Sequence, residues 1–200
     1  MTFQSFSQVY DKDSSCCDLF LYLEPEIKNN KDLDKIFRKW QIDFGCCYKK
    51  SKTVYIQGES LFLQKIELSK DSTEKQLYFD SLMSLFDKRI KYFGEEGFVL
   101  GKKGVLLRKY YLASQQKMTY ETLSKSVNIL KEKSDPYVLL TYLKSAYDNY
   151  RFNEVTKKEL LDVFFTIESL IQTNNNESNN DFNIYLEIKK FIDNKRVELK

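Results

Sequence analysis

Histidine, which enzymes use widely for proton transfer and metal binding, is absent from the 200 residues of this chain, and no other motif in the sequence replaces it. Histidine is the only side chain whose unperturbed pKa lies near neutrality, and it is the commonest metal ligand. Its absence excludes Ser-His-Asp triads, Cys-His dyads and histidine-containing zinc or iron sites. Carboxylate pairs occur at Glu24/Glu26, Asp32/Asp34 and Glu95/Glu96. We assign no catalytic residue, metal or cofactor to them, and an enzyme that uses carboxylates with Mg²⁺ stays open as a minor class.

The four cysteines form two adjacent pairs, Cys16-Cys17 and Cys46-Cys47. Structural zinc sites usually place two residues between paired cysteines, so that one loop presents both sulfurs to the same ion. Neighbouring residues in an extended strand instead point to opposite faces. The first fifteen residues lack the apolar run of a signal peptide, which predicts a cytoplasmic location with reduced thiols. We therefore expect buried cysteines that pack as small hydrophobic residues, with neither zinc nor disulfides.

The glycine-rich segment 94–104 has the composition, but not the spacing, of a phosphate-binding loop. That loop places four residues between its glycines and follows them with Lys and Ser or Thr. Here three residues separate Gly97 from Gly101, and Lys103 stands where the magnesium-binding hydroxyl should be. We therefore exclude nucleotide binding through this segment.

Gly101-Lys102-Lys103-Gly104, followed by the apolar and basic run 105–109, resembles the GXXG loop of KH domains. The resemblance covers residues 98–109 and implies a loop between two helices that clamps a nucleic-acid backbone. Residues 105–131 also permit a helix-turn-helix in which Asn128 begins the turn. The helix start at Ser134-Asp135-Pro136 argues against this second interpretation, because it interrupts the recognition helix.

Positive charge is concentrated in the middle of the chain, although the formal net charge is only +3. Residues 101–133 hold eight lysines and arginines against two glutamates, a local charge of +6, so the remainder sums to −3. A second basic segment, Tyr48-Lys49-Lys50-Ser51-Lys52, is flanked by Tyr55. Interleaved lysine and tyrosine suit single-stranded nucleic acid, but they also suit a solvated face or a protected strand edge. The candidate nucleic-acid-binding residues are Lys49, Lys50, Lys52, Gly101, Lys102, Lys103, Gly104, Arg108, Lys109 and Lys117.

The N-terminal third has the pattern of a small sheet with one helix. An apolar run at residues 18–23 predicts a strand, and residues 27–44 predict a helix that Gly45 ends. Residues 53–57 and 61–68 predict two strands joined by a turn at residues 57–60.

From residue 70 onward the apolar residues recur at helical spacing. Helix starts are predicted at Asp71 and Asp135 and at the capping box of Thr156 with Glu159, with a glycine-punctuated break at residues 94–104. Helices are also predicted from residue 105 to about 115 and after Thr119. The polar tract 173–183 predicts a mobile loop before a last helix, whose apolar set is Ile184, Leu186, Ile188, Phe191 and Ile192.

These patterns predict an α+β fold, with a small N-terminal antiparallel sheet and one helix in residues 1–69 and a predominantly helical region in residues 70–200. A mainly helical protein with a minor hairpin is the alternative. The composition, poor in alanine and rich in lysine, asparagine and aromatic residues, suggests an AT-rich genome.

Because the sequence contains no catalytic motif, we favour a non-enzymatic regulatory or interaction protein. Short proteins from AT-rich genomes are often viral or phage-conflict adaptors, and this association suggests the same role here. An RNA- or DNA-binding protein that uses residues 101–133 is the second class. The partner is accordingly another protein or a nucleic acid, and no membrane is expected because no apolar stretch approaches 18 residues.

Overall fold

A computed structural model describes residues 32–110, 116–173 and 181–199 of the chain. These residues form eight α-helices and one short 3₁₀-helix at Lys131–Lys133, and they contain no β-strand. The helices are α1 (Leu33–Cys47), α2 (Thr53–Leu68), α3 (Ser72–Phe93), α4 (Glu96–Tyr110), α5 (Gln116–Leu130), α6 (Pro136–Arg151), α7 (Lys157–Thr173) and α8 (Phe182–Glu198).

The predicted α+β fold is therefore wrong for the described residues, which are all-α. The predicted strand at residues 18–23 lies outside them, as do residues 27–31 of the first predicted helix and residues 174–180 of the polar tract. That first helix begins at Leu33, where the Asp32 carboxylate accepts a hydrogen bond from the Lys35 backbone N–H, and it continues past Gly45 to Cys47.

The predicted hairpin of residues 53–68 is one continuous helix, α2. Its β-branched and aromatic start, Thr53 to Ile56, favoured a strand, and Gly58 was interpreted as a turn residue. The buried residues recur at the spacing of a helix, and Gly58 lies against another side chain rather than at a bend. A Cβ atom added to Gly58 would lie 2.4 Å from the indole of Trp40 and 2.9 Å from Leu85. The buried residues of α2 are Val54, Tyr55, Gln57, Gly58, Leu61, Phe62 and Ile66.

The chain divides into two compact units, with the boundary between Gly94 and Glu95. Both residues have positive φ values, 71° at Gly94 and 57° at Glu95. The boundary predicted after residue 69 falls between α2 and α3, within the first unit.

The first unit consists of α1, α2 and α3, and the single tryptophan of the chain, Trp40 of α1, is buried between them. Trp40 is 1% exposed, and its indole N–H donates a 2.8 Å hydrogen bond to the carbonyl of Val54. Its ring lies 5.2 Å from Phe44 and 5.4 Å from Phe62, centroid to centroid. This aromatic cluster is the centre of the first unit's core.

The second unit packs α4 to α8 around a core centred on α6 and α7. The sequence predicts that one face of α7 is apolar, and this is confirmed because all five residues of that face are buried: Leu160, Val163, Phe164, Ile167 and Ile171. Leu186, predicted to face the core from the last helix, is 39% exposed. The core includes Leu139, Leu143, Ala146, Leu160, Val163, Phe164, Ile167, Ile171, Ile188 and Ile192.

The predicted break at residues 94–104 is wrong beyond Glu95, because Gly97, Gly101 and Gly104 all lie within α4. The glycines share a face that packs against neighbouring side chains at very short distance. A Cβ atom would lie 2.8 Å from Leu130 at Gly97, 3.0 Å from the Ser126 hydroxyl at Gly101 and 2.5 Å from Leu123 at Gly104. Ser126 also donates a 2.7 Å hydrogen bond to the carbonyl of Gly97. These residues are glycine because α5 approaches closely, not because the chain bends.

Cys46 and Cys47, at the end of α1, are both disulfide-bonded. This contradicts the expectation of reduced cysteines, which followed from the predicted cytoplasmic location. Cys47 is fully buried, as expected, and Cys46 is half-buried. The other pair, Cys16-Cys17, lies outside the described residues.

The three helix starts predicted from caps are confirmed. Asp71 accepts from the backbone N–H of Glu74, and Asp135 accepts from the backbone N–H groups of Tyr137 and Val138. At α7 the capping box is complete, since the Glu159 N–H donates to the Thr156 hydroxyl at 3.2 Å and the Thr156 N–H donates to the Glu159 carboxylate at 2.7 Å. Caps can be predicted because each depends on residues only three positions apart.

Thr156→Ala is expected to lower the free energy of unfolding by about 1 kcal/mol, because it removes the acceptor for the Glu159 N–H. Hydrogen bonds from the Thr156 hydroxyl and backbone hold the pKa of Glu159 below its ordinary value. The cap therefore stabilises fully above the unfolded-state pKa of Glu159, and its contribution declines as the pH falls through the lower folded-state pKa. Urea denaturation of Thr156→Ala and wild type at neutral and acid pH measures both effects. Ser169→Ala, at an exposed position of α7, is the control, and an equal loss there contradicts the assignment.

Candidate functional site

The turn between α1 and α2 presents the lysines of the second basic segment. The backbone N–H groups of Lys50 and Ser51 both donate to the Cys47 carbonyl at 2.9 Å. The Tyr55 hydroxyl donates to the Tyr48 carbonyl at 2.7 Å, which holds the turn against α2. Lys49, Lys50 and Lys52 are all exposed. The predicted strand edge is thus a tight interhelical turn that carries three cations.

A contact between two tyrosines joins this turn to the end of α3. The rings of Tyr48 and Tyr92 lie 5.3 Å apart, centroid to centroid, at an interplanar angle of 77°. The Lys49 ammonium lies 5.3 Å from the centroid of the Tyr48 ring, and the Lys91 ammonium lies 5.5 Å from that of Tyr92. Lysines that are distant in sequence therefore flank one pair of rings.

Lys88 extends the same group along α3. Its ammonium lies 5.8 Å from the centroid of Phe44, and the Phe44 ring lies 6.1 Å from Tyr48. Lys88 is half-buried, and desolvation lowers the pKa of its ammonium. We call this group the tyrosine–lysine patch, and it consists of Tyr48, Lys49, Lys50, Lys52, Lys88, Lys91 and Tyr92.

Two carboxylates lie close to the patch in sequence. Asp43 precedes Phe44 and is 7% exposed, and burial raises the pKa of its carboxyl above the ordinary value. Asp87 precedes Lys88 on α3 and is exposed. The five lysines of the patch and these two acids carry a formal charge of +3 together.

Gly101, Lys102, Lys103 and Gly104 occupy the middle of α4, so the GXXG loop implied by the KH resemblance is absent. Both glycines are buried, and both lysines are half-buried. The helix-turn-helix interpretation also fails, because Asn128 lies inside α5, which continues to Leu130.

Three other cations of residues 101–133 form ion pairs with three different carboxylates. Arg108 forms an ion pair with Asp148, Lys125 lies 2.6 Å from the carboxylate of Glu96, and Lys117 lies 3.9 Å from that of Glu154. All three acids lie outside the segment in sequence, so its local charge is lower in the folded chain than the sequence indicates. Lys109 is exposed on α4, with its ammonium 5.0 Å from the Tyr110 ring centroid.

Sequence reasoning found the turn lysines of the patch but missed its α3 members, Lys88, Lys91 and Tyr92. These residues lie near the end of a correctly predicted helix but outside its apolar stripe, so the sequence gives no signal that they belong to a site. Their position beside Tyr48 depends on how α1 packs against α3, and no local pattern encodes that packing.

Comparisons with protein-family models, with curated proteins and with solved structures find no match for this chain. Within the described residues, no group of three or more cysteines and carboxylates could hold a metal ion. No helix in the same part of the chain is long and apolar enough to cross a membrane.

Proposed function

We propose that this chain is a non-enzymatic binding protein whose tyrosine–lysine patch binds an anionic polymer. The observation that carries the proposal is the contact between Tyr48 and Tyr92, which joins three turn lysines to two lysines of α3. Neither group was predicted from the sequence to lie beside the other.

An anionic polymer suits this surface better than a small anion does. Each lysine is a compact cation on a flexible stem, which contacts a phosphate as a point charge without bidentate geometry. The lysines are spread over the interhelical turn and about one turn of α3 rather than directed at one point. Several successive phosphates could thus be contacted together, with release of the counterions that surround the polymer.

The basic segment 101–133, proposed from the sequence as a nucleic-acid interface, is the competing location. Its exposed Lys109, Lys131 and Lys133 support it, whereas the ion pairs of Arg108, Lys117 and Lys125 count against it. Charge-reversal variants in the patch and in the segment 101–133 distinguish the two locations. A protein partner remains the alternative within the same non-enzymatic class.

The cytoplasmic location predicted from the sequence stays a proposal. The disulfide bonds of Cys46 and Cys47 count against it, because such bonds persist mainly in oxidising compartments.

The proposal is tested by titrating the full chain with inorganic polyphosphate in an isothermal calorimeter at about 50 mM salt. Reversing Lys49, Lys50 and Lys52 to Glu is expected to weaken binding roughly 100-fold, because three attractive contacts become repulsive. For wild type, log K is expected to fall with log[salt] at a slope of about −3.5, as one phosphate contact for each of the five lysines implies for a flexible chain.

Two variants with the same change in charge complete the design. Lys158, Lys189 and Lys190, all exposed in the second unit, are reversed together as the control and are expected to keep most of the affinity. Lys109, Lys131 and Lys133 are reversed together to test the competing location. Equal losses in all three variants, or no polyphosphate binding by wild type, contradict the proposal.

A further inference from the structure

We infer that the polymer bound at the tyrosine–lysine patch is a single-stranded nucleic acid, with bases stacked on Tyr48 and Tyr92 and phosphates on the lysines. This inference rests on the proposed function and deepens it. Lysines alone recognise any polyanion, whereas partly exposed aromatic rings add a stacking contact that, among anionic polymers, nucleic acids can use.

Both tyrosine side chains are partly exposed to solvent. Tyr48 and Tyr92 are half-buried, and each has a lysine ammonium near its ring, at 5.3 Å and 5.5 Å from the centroid. A cation–π contact at an exposed site contributes only about 0.5–1 kcal/mol. A base can therefore replace the ammonium on each ring, and the displaced lysine is left beside the phosphate of the same nucleotide.

The angle between the rings favours a single strand over a duplex. At 77° the two ring planes are nearly perpendicular, so bases stacked on both rings would be splayed apart. The bases of a duplex are parallel and stacked on each other, and splaying them costs a few kcal/mol per step. An unpaired strand has no base pairs to break.

Deletion of the two rings separates base recognition from charge recognition. The probes are a labelled 20-nucleotide oligo-dT strand, the duplex of oligo-dT with oligo-dA of the same length, and inorganic polyphosphate. Wild type is expected to bind the single strand more tightly than the duplex. Tyr48→Leu and Tyr92→Leu are each expected to weaken single-strand binding about 5- to 100-fold while polyphosphate binding is unchanged. Fluorescence anisotropy gives the affinity for the labelled DNA probes, and calorimetry gives that for polyphosphate.

Conservative variants and a distant tyrosine provide the controls. Tyr48→Phe and Tyr92→Phe keep the stacking surface and are expected to bind the strand as wild type does. Tyr137→Leu removes a tyrosine that is 54% exposed in the second unit and is expected to have no effect. Far-UV circular dichroism checks the fold of each variant, and Tyr92→Leu alone suffices if Tyr48→Leu does not fold.

The two proposals fail in different ways. If wild type binds polyphosphate and both leucine variants bind the single strand as tightly as wild type does, the inference is wrong and the proposed function stands. Tighter binding of the duplex than of the strand also overturns the inference. An absence of polyphosphate binding by wild type overturns the proposed function itself.

Discussion

Trp40→Ala is expected to lower the free energy of unfolding by about 3–5 kcal/mol, the largest effect of any single substitution proposed for this chain. The indole is 1% exposed, and it lies among the rings of Phe37, Phe44 and Phe62. Its removal leaves a cavity lined by aromatic groups that cannot all relax into the space. It also removes the hydrogen bond to the Val54 carbonyl.

Urea denaturation followed by far-UV circular dichroism measures this loss. Trp40→Phe keeps a ring but loses the indole N–H and part of the volume, so an intermediate loss is expected. Leu77→Ala, at a position 56% exposed on α3 in the same unit, is the control and is expected to change stability by less than about 0.5 kcal/mol. A loss for Trp40→Ala no greater than that for Leu77→Ala shows that the tryptophan is not the centre of this core.

Gly104→Ala is expected to lower the free energy of unfolding by about 1–3 kcal/mol, against the normal preference of helices for alanine. In an open helix interior the same substitution stabilises by about 1 kcal/mol. At Gly104 the new methyl group would lie 2.5 Å from both Cγ and Cδ2 of Leu123, so either the buried Leu123 side chain or the two helices must shift. The sign of the effect is therefore the test of close helix packing.

Gly45 in α1 provides the matched comparison, because a Cβ atom there meets nothing within 4 Å. Gly45→Ala is expected to stabilise by a few tenths to about 1 kcal/mol. Urea midpoints of both variants and of wild type give the two signs. Stabilisation by Gly104→Ala means that the glycine face of α4 is not tightly packed.

Helix starts could be predicted from the sequence, because capping is a local interaction. Asp71, Asp135 and Thr156 each accept from a backbone N–H two or three residues further on, so the residues that decide the start stand together in the sequence. The core stripe of α7 was found for the same reason, since residues three and four apart necessarily share a helix face.

The errors occurred where contacts between helices decide the structure. From the sequence alone, Gly58 indicates a turn. In the structure it is a helix residue, and the Trp40 indole fills the space that a Cβ atom would occupy. Gly101 and Gly104 likewise indicate a loop in isolation, and only the approach of Leu123 and Ser126 explains them as helix residues. Glycine in a sequence does not distinguish a bend from a close contact.

The candidate site shows the same division between local and distant information. Lys49, Lys50 and Lys52 could be found because they are consecutive or nearly so. The ion pairs of Arg108 with Asp148 and of Lys117 with Glu154 could not be found, because their partners are distant in sequence. A charge counted over a segment is therefore a poor guide to the field of the folded surface.

The glycine face of α4 also limits which substitutions evolution can accept. Any relative that keeps this pair of helices must keep a minimal side chain at positions 97, 101 and 104. In remote relatives, we therefore expect three small residues spaced four and then three positions apart to remain recognisable when the overall sequence identity is low.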